Sequence, residues 1–167
     1  MTPALPKDAE FLKKIPIFQD LTNEEIWVLA NFFEGKDYVA DIKIVKEGEK
    51  GDRLFVIESG NVAVTRSNDK GEDIFITALQ TGDYFGEAAL FDDVQRIANI
   101  KTTLPTRAHS IDKSHFDTYL KENPVAANRI LYRMLKQVFL RLKQTSFELK
   151  FERESSLGQN AIDKLFA

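Results

Sequence analysis

Apolar positions change their period twice along this chain. Ile26, Leu29, Ala30 and Phe33 recur at helical spacing and fall on one face. Thr22-Asn23-Glu24-Glu25, just before them, has the form of a capping box, Leu21 is placed to staple onto Ile26, and Gly35 is expected to close the helix. From about residue 38 to 112 the pattern becomes short β-branched and aromatic runs. Gly48/Gly51, Ser59-Gly60, Asn68-Asp69-Lys70-Gly71 and Gln80-Thr81-Gly82-Asp83 break them at nine to eleven residues apart, which predicts the hairpins of a jelly-roll barrel. Ala98 to Lys101 and Thr106 to Ile111 read as further strands of that barrel.

The helical period then returns. Ser114 is expected to cap a short helix through about Leu120, and Asn123-Pro124 supplies a cap and first turn for a long helix to about Glu154. Leu131, Leu135, Val138, Leu142, Thr145 and Leu149 follow one another at spacings of 4, 3, 4, 3 and 4, a heptad seam. Such a seam either packs on its own barrel or meets a partner. Ile130, Met134 and Phe139 offer separate apolar surface for the barrel, so the seam is expected to form a homodimer through Leu131, Leu135, Val138, Leu142 and Leu149. The fold class is therefore mainly β with flanking α: a jelly-roll β-barrel with N-terminal helices and a long C-terminal helix. The expected organisation is an arm at 1–10 containing Pro3 and Pro6, the barrel and its flanking helices at 11–123, the long helix at 124–154, and a flexible tail at 155–167.

Composition narrows the chemistry. With 167 residues, 43% of them hydrophobic, and thirteen Phe, the chain can bury a sizeable core. No stretch approaches 18 consecutive apolar residues and no basic-then-apolar leader opens the chain, so neither membrane insertion nor a signal peptide is expected. The absence of cysteine excludes disulfides, thiol catalysis and thiolate metal sites, and fits a cytoplasmic protein. A net charge of −3 argues against non-specific nucleic-acid binding. His109 and His115, the two histidines, are not spaced as metal ligands. With no nucleophile–base arrangement and no Walker-type loop, neither a metal site nor an enzyme is expected.

The densest chemistry lies in Phe85-Gly86-Glu87-Ala88-Ala89-Leu90 and Arg96-Ile97-Ala98-Asn99-Ile100, separated by little more than a turn containing Asp92, Asp93 and Gln95. Gly86 permits close backbone approach. The N–H groups that open the following helical turn favour an anion, Arg96 brings a planar fork matched to two phosphate oxygens, and Glu87 can accept from a sugar hydroxyl. Together they suit a small, singly charged, sugar-bearing phosphate.

This arrangement resembles the phosphate-binding cassette of the cyclic nucleotide-binding domain family, shared by bacterial cAMP receptor proteins and kinase regulatory subunits. Leu12 to Leu21 is similar to the family's entry segment, Ile44 to Val64 to its glycine-punctuated barrel pattern, and Gly82-Asp83-Tyr84-Phe85-Gly86-Glu87 to its lead-in. The likeness spans roughly residues 11 to 150. Asp41 departs from it, standing where the family usually has a turn glycine. The resemblance implies that Glu87 contacts the ribose 2′-hydroxyl and Arg96 the cyclic phosphate, with Gly86, Ala88 and Ala98 completing the cradle. Phe85 and Val64 are expected to adjoin the ligand. Val56, Val64 and Tyr84 read equally as apolar walls or plain core. Ile97 lacks the hydroxyl that guanine-preferring members often carry there, which favours cAMP over cGMP.

Thr145-Ser146 either sets the register of the seam or meets the adenine edge, as a Thr-Ser pair does in bacterial cAMP receptor proteins. Arg129, Arg133, Lys136, Arg141, Lys143 and Lys150 face a single Glu148, and read as a solvated helix face or a surface for an acidic partner. Bacterial transcription factors of the family follow the long helix with a DNA-reading module of on the order of 60 residues. Only Ser155 to Ala167 follow here, so no nucleic-acid partner is expected. The segment Gln159-Asn160-Ala161-Ile162-Asp163-Lys164-Leu165-Phe166 resembles terminal peptides of flagellar switch and chemotaxis proteins that dock on receiver domains, or is a loose terminus. The expected function is a non-enzymatic cAMP sensor that signals allosterically to a partner. The alternative is a degenerate fold that serves protein–protein contacts without nucleotide.

Overall fold

A computed structural model of the chain describes residues 9–91 and 95–165. The arm at 1–8, Asp92 and Asp93, and the side chains of Thr145 and of residues 148 onward, Leu149 among them, lie outside that description. The chain divides into two compact units, Met1–Ile130 and Leu131–Ala167.

In the first unit, short 3-10 helices at Glu10–Lys14 and Pro16–Phe18 precede α1 (Asn23–Ala30). Eight strands follow: β1 (Glu34–Tyr38), β2 (Lys43–Val45), β3 (Arg53–Ser59), β4 (Asn61–Ser67), β5 (Asp73–Gln80), β6 (Tyr84–Phe85), β7 (Asn99–Thr102) and β8 (Thr106–Asp112). They form two four-stranded antiparallel sheets, β1-β8-β3-β6 and β2-β7-β4-β5. The jelly-roll expectation is met, and each expected turn signal falls at the junction of two strands, with Ser59 and Gln80 still the last residues of β3 and β5.

Strand β3 shows what organises the core. Side chains alternate across a strand, yet Leu54, Phe55, Val56 and Ile57 are all buried. Phe55 and Ile57 face inward, in a cluster with Val45, Val62, Phe85 and Ile100. Leu54 and Val56 point the other way, opposite Ile111 and His109 of β8, where the Phe11 ring stacks on His109 at 4.1 Å. Both faces of β3 are therefore covered, and each large aliphatic or aromatic side chain so buried contributes about 1.5–3 kcal/mol.

The capping box of α1 is formed: Thr22 Oγ1 accepts from the Glu25 N–H at 3.2 Å, and Glu25 Oε2 accepts from the Thr22 N–H at 2.7 Å. The same Glu25 carboxylate accepts from Arg129 Nη1 at 2.7 and 2.6 Å. Ile26 and Leu29 are buried as expected.

Three boundaries differ from the sequence reading. Helix α1 stops at Ala30, with Asn31 as its C-cap. Gly35 lies in β1, where a Cβ would stand 2.8 Å from the His109 ring, so this glycine answers a close approach and not a helix end. Helix α2 (Lys113–Glu122) is capped by Asp112, which accepts from the His115 N–H at 2.9 Å. Ser114 instead donates its hydroxyl to that carboxylate. Helix α3 runs Pro124–Leu165, past Glu154 and through most of the segment expected to be a tail. No proline interrupts residues 155–165, and the single Gly158 costs only about 1 kcal/mol in a helix interior.

Asp41 explains its own departure. It has φ 65°, the sole described non-glycine residue in the left-handed region, a conformation aspartate tolerates better than most residues. Its N–H donates to Thr102 O and its carboxylate pairs with Lys101 at 2.9 Å.

In the second unit, the exposed side chains of α3 include Leu131, Leu135, Val138 and Leu142 of the seam, with Ser146.

Candidate phosphate-binding site

The site is built where β6 ends. Gly86 adopts φ 82° and ψ 13° and opens the 3-10 helix Glu87–Leu90. A side chain there would meet Arg96 Nη1 at 2.6 Å and Arg53 O at 2.7 Å, so only glycine satisfies both the turn and the crowding. The first hydrogen bond of the turn runs from the Ala89 N–H to Gly86 O at 3.2 Å, and the N–H groups of Glu87 and Ala88 lie ahead of it. Lys113, at the start of α2, donates to Leu90 O at the far end.

Arg96 returns to this turn from the other side. Its backbone N–H donates to Glu49 O, and its carbonyl accepts from the Gly48 N–H, both at 2.8 Å. Its guanidinium is part-buried: Nη2 donates to Arg53 O at 2.9 Å, Nη1 reaches Gly86 O at 3.4 Å, and Cζ lies 6.0 Å from the Phe55 ring centroid. Burial pulls its pKa down, and the nearby Asp52 and Glu87 carboxylates push it back up. Among the described residues, two of its five N–H donors are engaged, both with neutral carbonyls. That leaves a charged fork held in a crowded, partly desolvated place, which is the requirement for capturing an anion.

The structure therefore brings together Gly86, Glu87, Ala88 and Arg96. Ala98 is part-buried directly before β7, and Ile97 is 77% exposed beside it. Phe85 is buried in the barrel, its ring stacked on Phe55 at 5.0 Å and 8°, and Val64 packs against that same cluster. Val56 and Tyr84 pair with each other on the opposite face of the strands from Phe55 and Phe85, which makes them core and not walls of the cassette. Thr145 and Ser146 belong to α3 in the second unit.

Two contributors escaped the sequence reading. Phe55 sits under the guanidinium. At Gly51 a Cβ would stand 2.1 Å from Arg96 Nε, so the missing side chain is the space the arginine occupies. The sequence signal is the pair of glycines in one turn, and in the structure Gly48 alone takes the positive φ, which leaves close approach as the reason for Gly51.

Among the described residues no three His, Cys, Asp or Glu side chains cluster to hold a metal ion, and no helix is long and apolar enough to cross a membrane. His109 pairs with Glu58 at 2.6 Å and His115 with Asp112 at 2.7 Å.

Two antiparallel sheets interrupted between β6 and β7 by a glycine-opened turn and a returning arginine define a jelly-roll domain with an insertion between those strands. This chain belongs to the cyclic nucleotide-binding domain family, whose sequence profile matches residues 35–123. It is 41% identical over 93 residues to the Drosophila melanogaster cGMP-dependent protein kinase, isozyme 2 forms cD5/T2, covering 55% of this chain and 10% of that protein. It is 34% identical over 120 residues to the cAMP-dependent protein kinase regulatory subunit of Yarrowia lipolytica, 68% of this chain and 31% of that one. A CRP-like cAMP-activated global transcriptional regulator of Mycobacterium tuberculosis shares 30% over 140 residues, 84% of this chain and 61% of the regulator. Among solved structures, a cyclic nucleotide-binding domain from Methylobacillus flagellatus KT aligns with TM-score 0.72 and 26% identity, over 82% of this chain and 77% of that one. The chain thus spans less than two thirds of the length of each of these three sequence relatives.

Proposed function

We propose that this chain is a cAMP sensor whose output is a change in its contacts with a protein partner. The observation that carries the reading is the Arg96 guanidinium, half-buried and anchored by Arg53 O and Gly86 O beside the opening of the Glu87–Leu90 turn. The cyclic phosphate is taken by Arg96 and by the N–H groups at the start of that turn, and the ribose 2′-hydroxyl donates to Glu87. The family relationship supports a cyclic nucleotide as ligand. The choice of cAMP rests on Ile97, an exposed side chain without a hydroxyl.

Capture draws on contacts that already tie the turn to α2 through Lys113 and Leu90 O, so a ligand favouring one placement of the turn biases α2 with it. It shifts that equilibrium only by its differential affinity for the two states. The adenine contact assigned to Thr145 and Ser146 rests on the sequence resemblance. Homodimerisation through Leu131, Leu135, Val138, Leu142 and Leu149 is supported by the exposure of the first four on α3. The proposed role is regulatory, with no turnover of the nucleotide, and a protein is proposed as partner in preference to nucleic acid, in keeping with the net charge of −3. Parallel calorimetric titrations with cAMP and cGMP test the reading. Saturable cAMP binding, tighter than cGMP, is expected. Binding of neither would leave the fold as a protein-interaction module, and tighter cGMP would overturn the choice of base.

A further inference from the structure

Three residues downstream of Arg96, a buried amide joins three segments that are far apart in the chain. Asn99 is 4% exposed. Its Oδ1 accepts from the Glu47 N–H at 3.0 Å, while Nδ2 donates to Ser67 Oγ at 3.3 Å and to Asp73 Oδ1 at 3.2 Å. The orientation is dictated by its neighbours, since a flipped amide would set donor against donor at Glu47 and acceptor against carboxylate at Asp73. The partners are themselves held. Glu47 accepts from the Ser67 N–H at 2.8 Å, and Asp73 pairs with Lys43 at 2.8 Å. Ser67 and Asp73 face each other at the end of the β4–β5 ladder.

The location gives this ring its meaning. The β2–β7 ladder is irregular between Lys43 and Val45. Past it, the turn after β2 is bound to the Arg96 segment by two backbone bonds, Gly48 N–H to Arg96 O and Arg96 N–H to Glu49 O. The Asn99 side chain adds the next rung, to residue 47, and carries it on to Ser67 and Asp73 of the β4–β5 hairpin, beside the direct bond from the Ser67 N–H to the Glu47 carboxylate. We propose that Asn99 is a positioning residue for Arg96: it clamps the first residue of β7 between the β2–β3 turn and the β4–β5 hairpin, and so sets where the guanidinium stands. The role in ligand affinity rests on the functional reading above. The clamp itself does not.

Asn99→Asp tests it. The new carboxylate keeps the Glu47 contact but faces the Asp73 carboxylate across the former amide bond, and like charges in contact repel. Combining it with Asp73→Asn exchanges the two groups and restores a donor–acceptor pair. Amide hydrogen exchange at Gly48 and Arg96 is expected to accelerate at least tenfold in Asn99→Asp and to return within threefold of wild type in the exchanged double variant, with Val56 in β3 unchanged. The cAMP affinity, measured well below the melting temperature, should fall at least tenfold and recover in parallel. Asp73→Ala removes one acceptor without adding charge, and should move the same amides by about threefold even if Asn99→Asp folds poorly. Unchanged exchange at Gly48 and Arg96 in a folded variant, or a double variant that stays defective, overturns the proposal. Affinity changes without the exchange pattern also overturn it. A wild-type chain that binds neither nucleotide yet shows the exchange pattern upholds the clamp and refutes the ligand instead.

Discussion

Replacing Gly51 by alanine should separate affinity from stability. The added methyl would stand 2.1 Å from Arg96 Nε, 2.4 Å from Cζ and 2.7 Å from Cδ. The closest of these is about 1.5 Å short of an ordinary contact. Gly51 is not among the positive-φ glycines, so its backbone accepts alanine without strain, and a Gly→Ala change at a compatible site gains about 0.4–1 kcal/mol through the unfolded chain. The three atoms nearest the methyl all belong to the flexible Arg96 side chain. The arginine therefore yields and the fold does not. Displaced, the guanidinium loses its bonds to Arg53 O and Gly86 O and with them the placement proposed for holding the phosphate. A charge-assisted hydrogen bond is worth about 1.5–3 kcal/mol, which corresponds to about one to two decades of cAMP affinity. Gly86→Ala supplies the contrast. Its methyl would meet the Arg53 carbonyl at 2.7 Å, backbone that cannot swing aside, and its left-handed conformation adds about 1–2 kcal/mol of strain. Affinity and melting temperature should both fall there. Calorimetry paired with thermal melting reads the two effects. A Gly51→Ala protein that binds within threefold of wild type would refute the reasoning, as would a loss of affinity matched by a Gly86-like loss of stability.

Ile97→Thr supplies a hydroxyl at an exposed position beside the cassette and should narrow the cAMP preference by up to about tenfold, the worth of one neutral hydrogen bond of about 0.5–1.5 kcal/mol; unchanged relative affinities in competition assays would count against the role given to Ile97. Glutamate at both Leu135 and Leu142, which are 56% and 61% exposed on α3, should convert a dimer to monomer in sedimentation, and a wild-type monomer with and without cAMP would refute the seam. At Asp112 partial burial pushes the carboxyl pKa up, but hydrogen bonds with the His115 N–H and ring and with the Ser114 hydroxyl outweigh it and hold the pKa at about 2, below the ordinary 3.8. That stability is fully present above pH 3.8 and is lost as pH falls towards 2. Asp112→Ala should therefore cost about 1 kcal/mol as a lost cap at neutral pH, with a difference from wild type that closes in melts taken towards pH 2; a gap constant with pH would contradict the assignment.

Where the sequence reading succeeded, short-range chemistry was decisive. The hairpin turns were legible because Gly60, Gly71 and Gly82 stand where the backbone takes positive φ, and the meeting of Gly86 with Arg96 because the two lie only ten residues apart. It failed where the reason for a residue lies across the fold. Gly35 looked like a helix terminator, but it makes room for a ring seventy-four residues away, that of His109. Ser114 and Asp112 are both competent caps by residue type, and only the path of β8 into α2 chooses the aspartate. The helix α3 runs to Leu165, beyond the expected end at about Glu154. The Asn99 network could not be read at all: Glu47, Ser67, Asp73 and Asn99 carry no shared motif, and the sheet pairing is what brings them together.

The most direct test of the central claim is calorimetric titration of wild type and Arg96→Ala with cAMP, alongside their melting curves. In the proposed site the guanidinium is the charged donor, and truncating one partner of a buried charge-assisted pair costs about 2–5 kcal/mol. Arg96→Ala should therefore bind cAMP more weakly by roughly 1.5 to 3.5 decades while the barrel melts as before. An Arg96→Ala protein that melts normally and binds cAMP within threefold of wild type would contradict the account, because the ligand would then be held somewhere else.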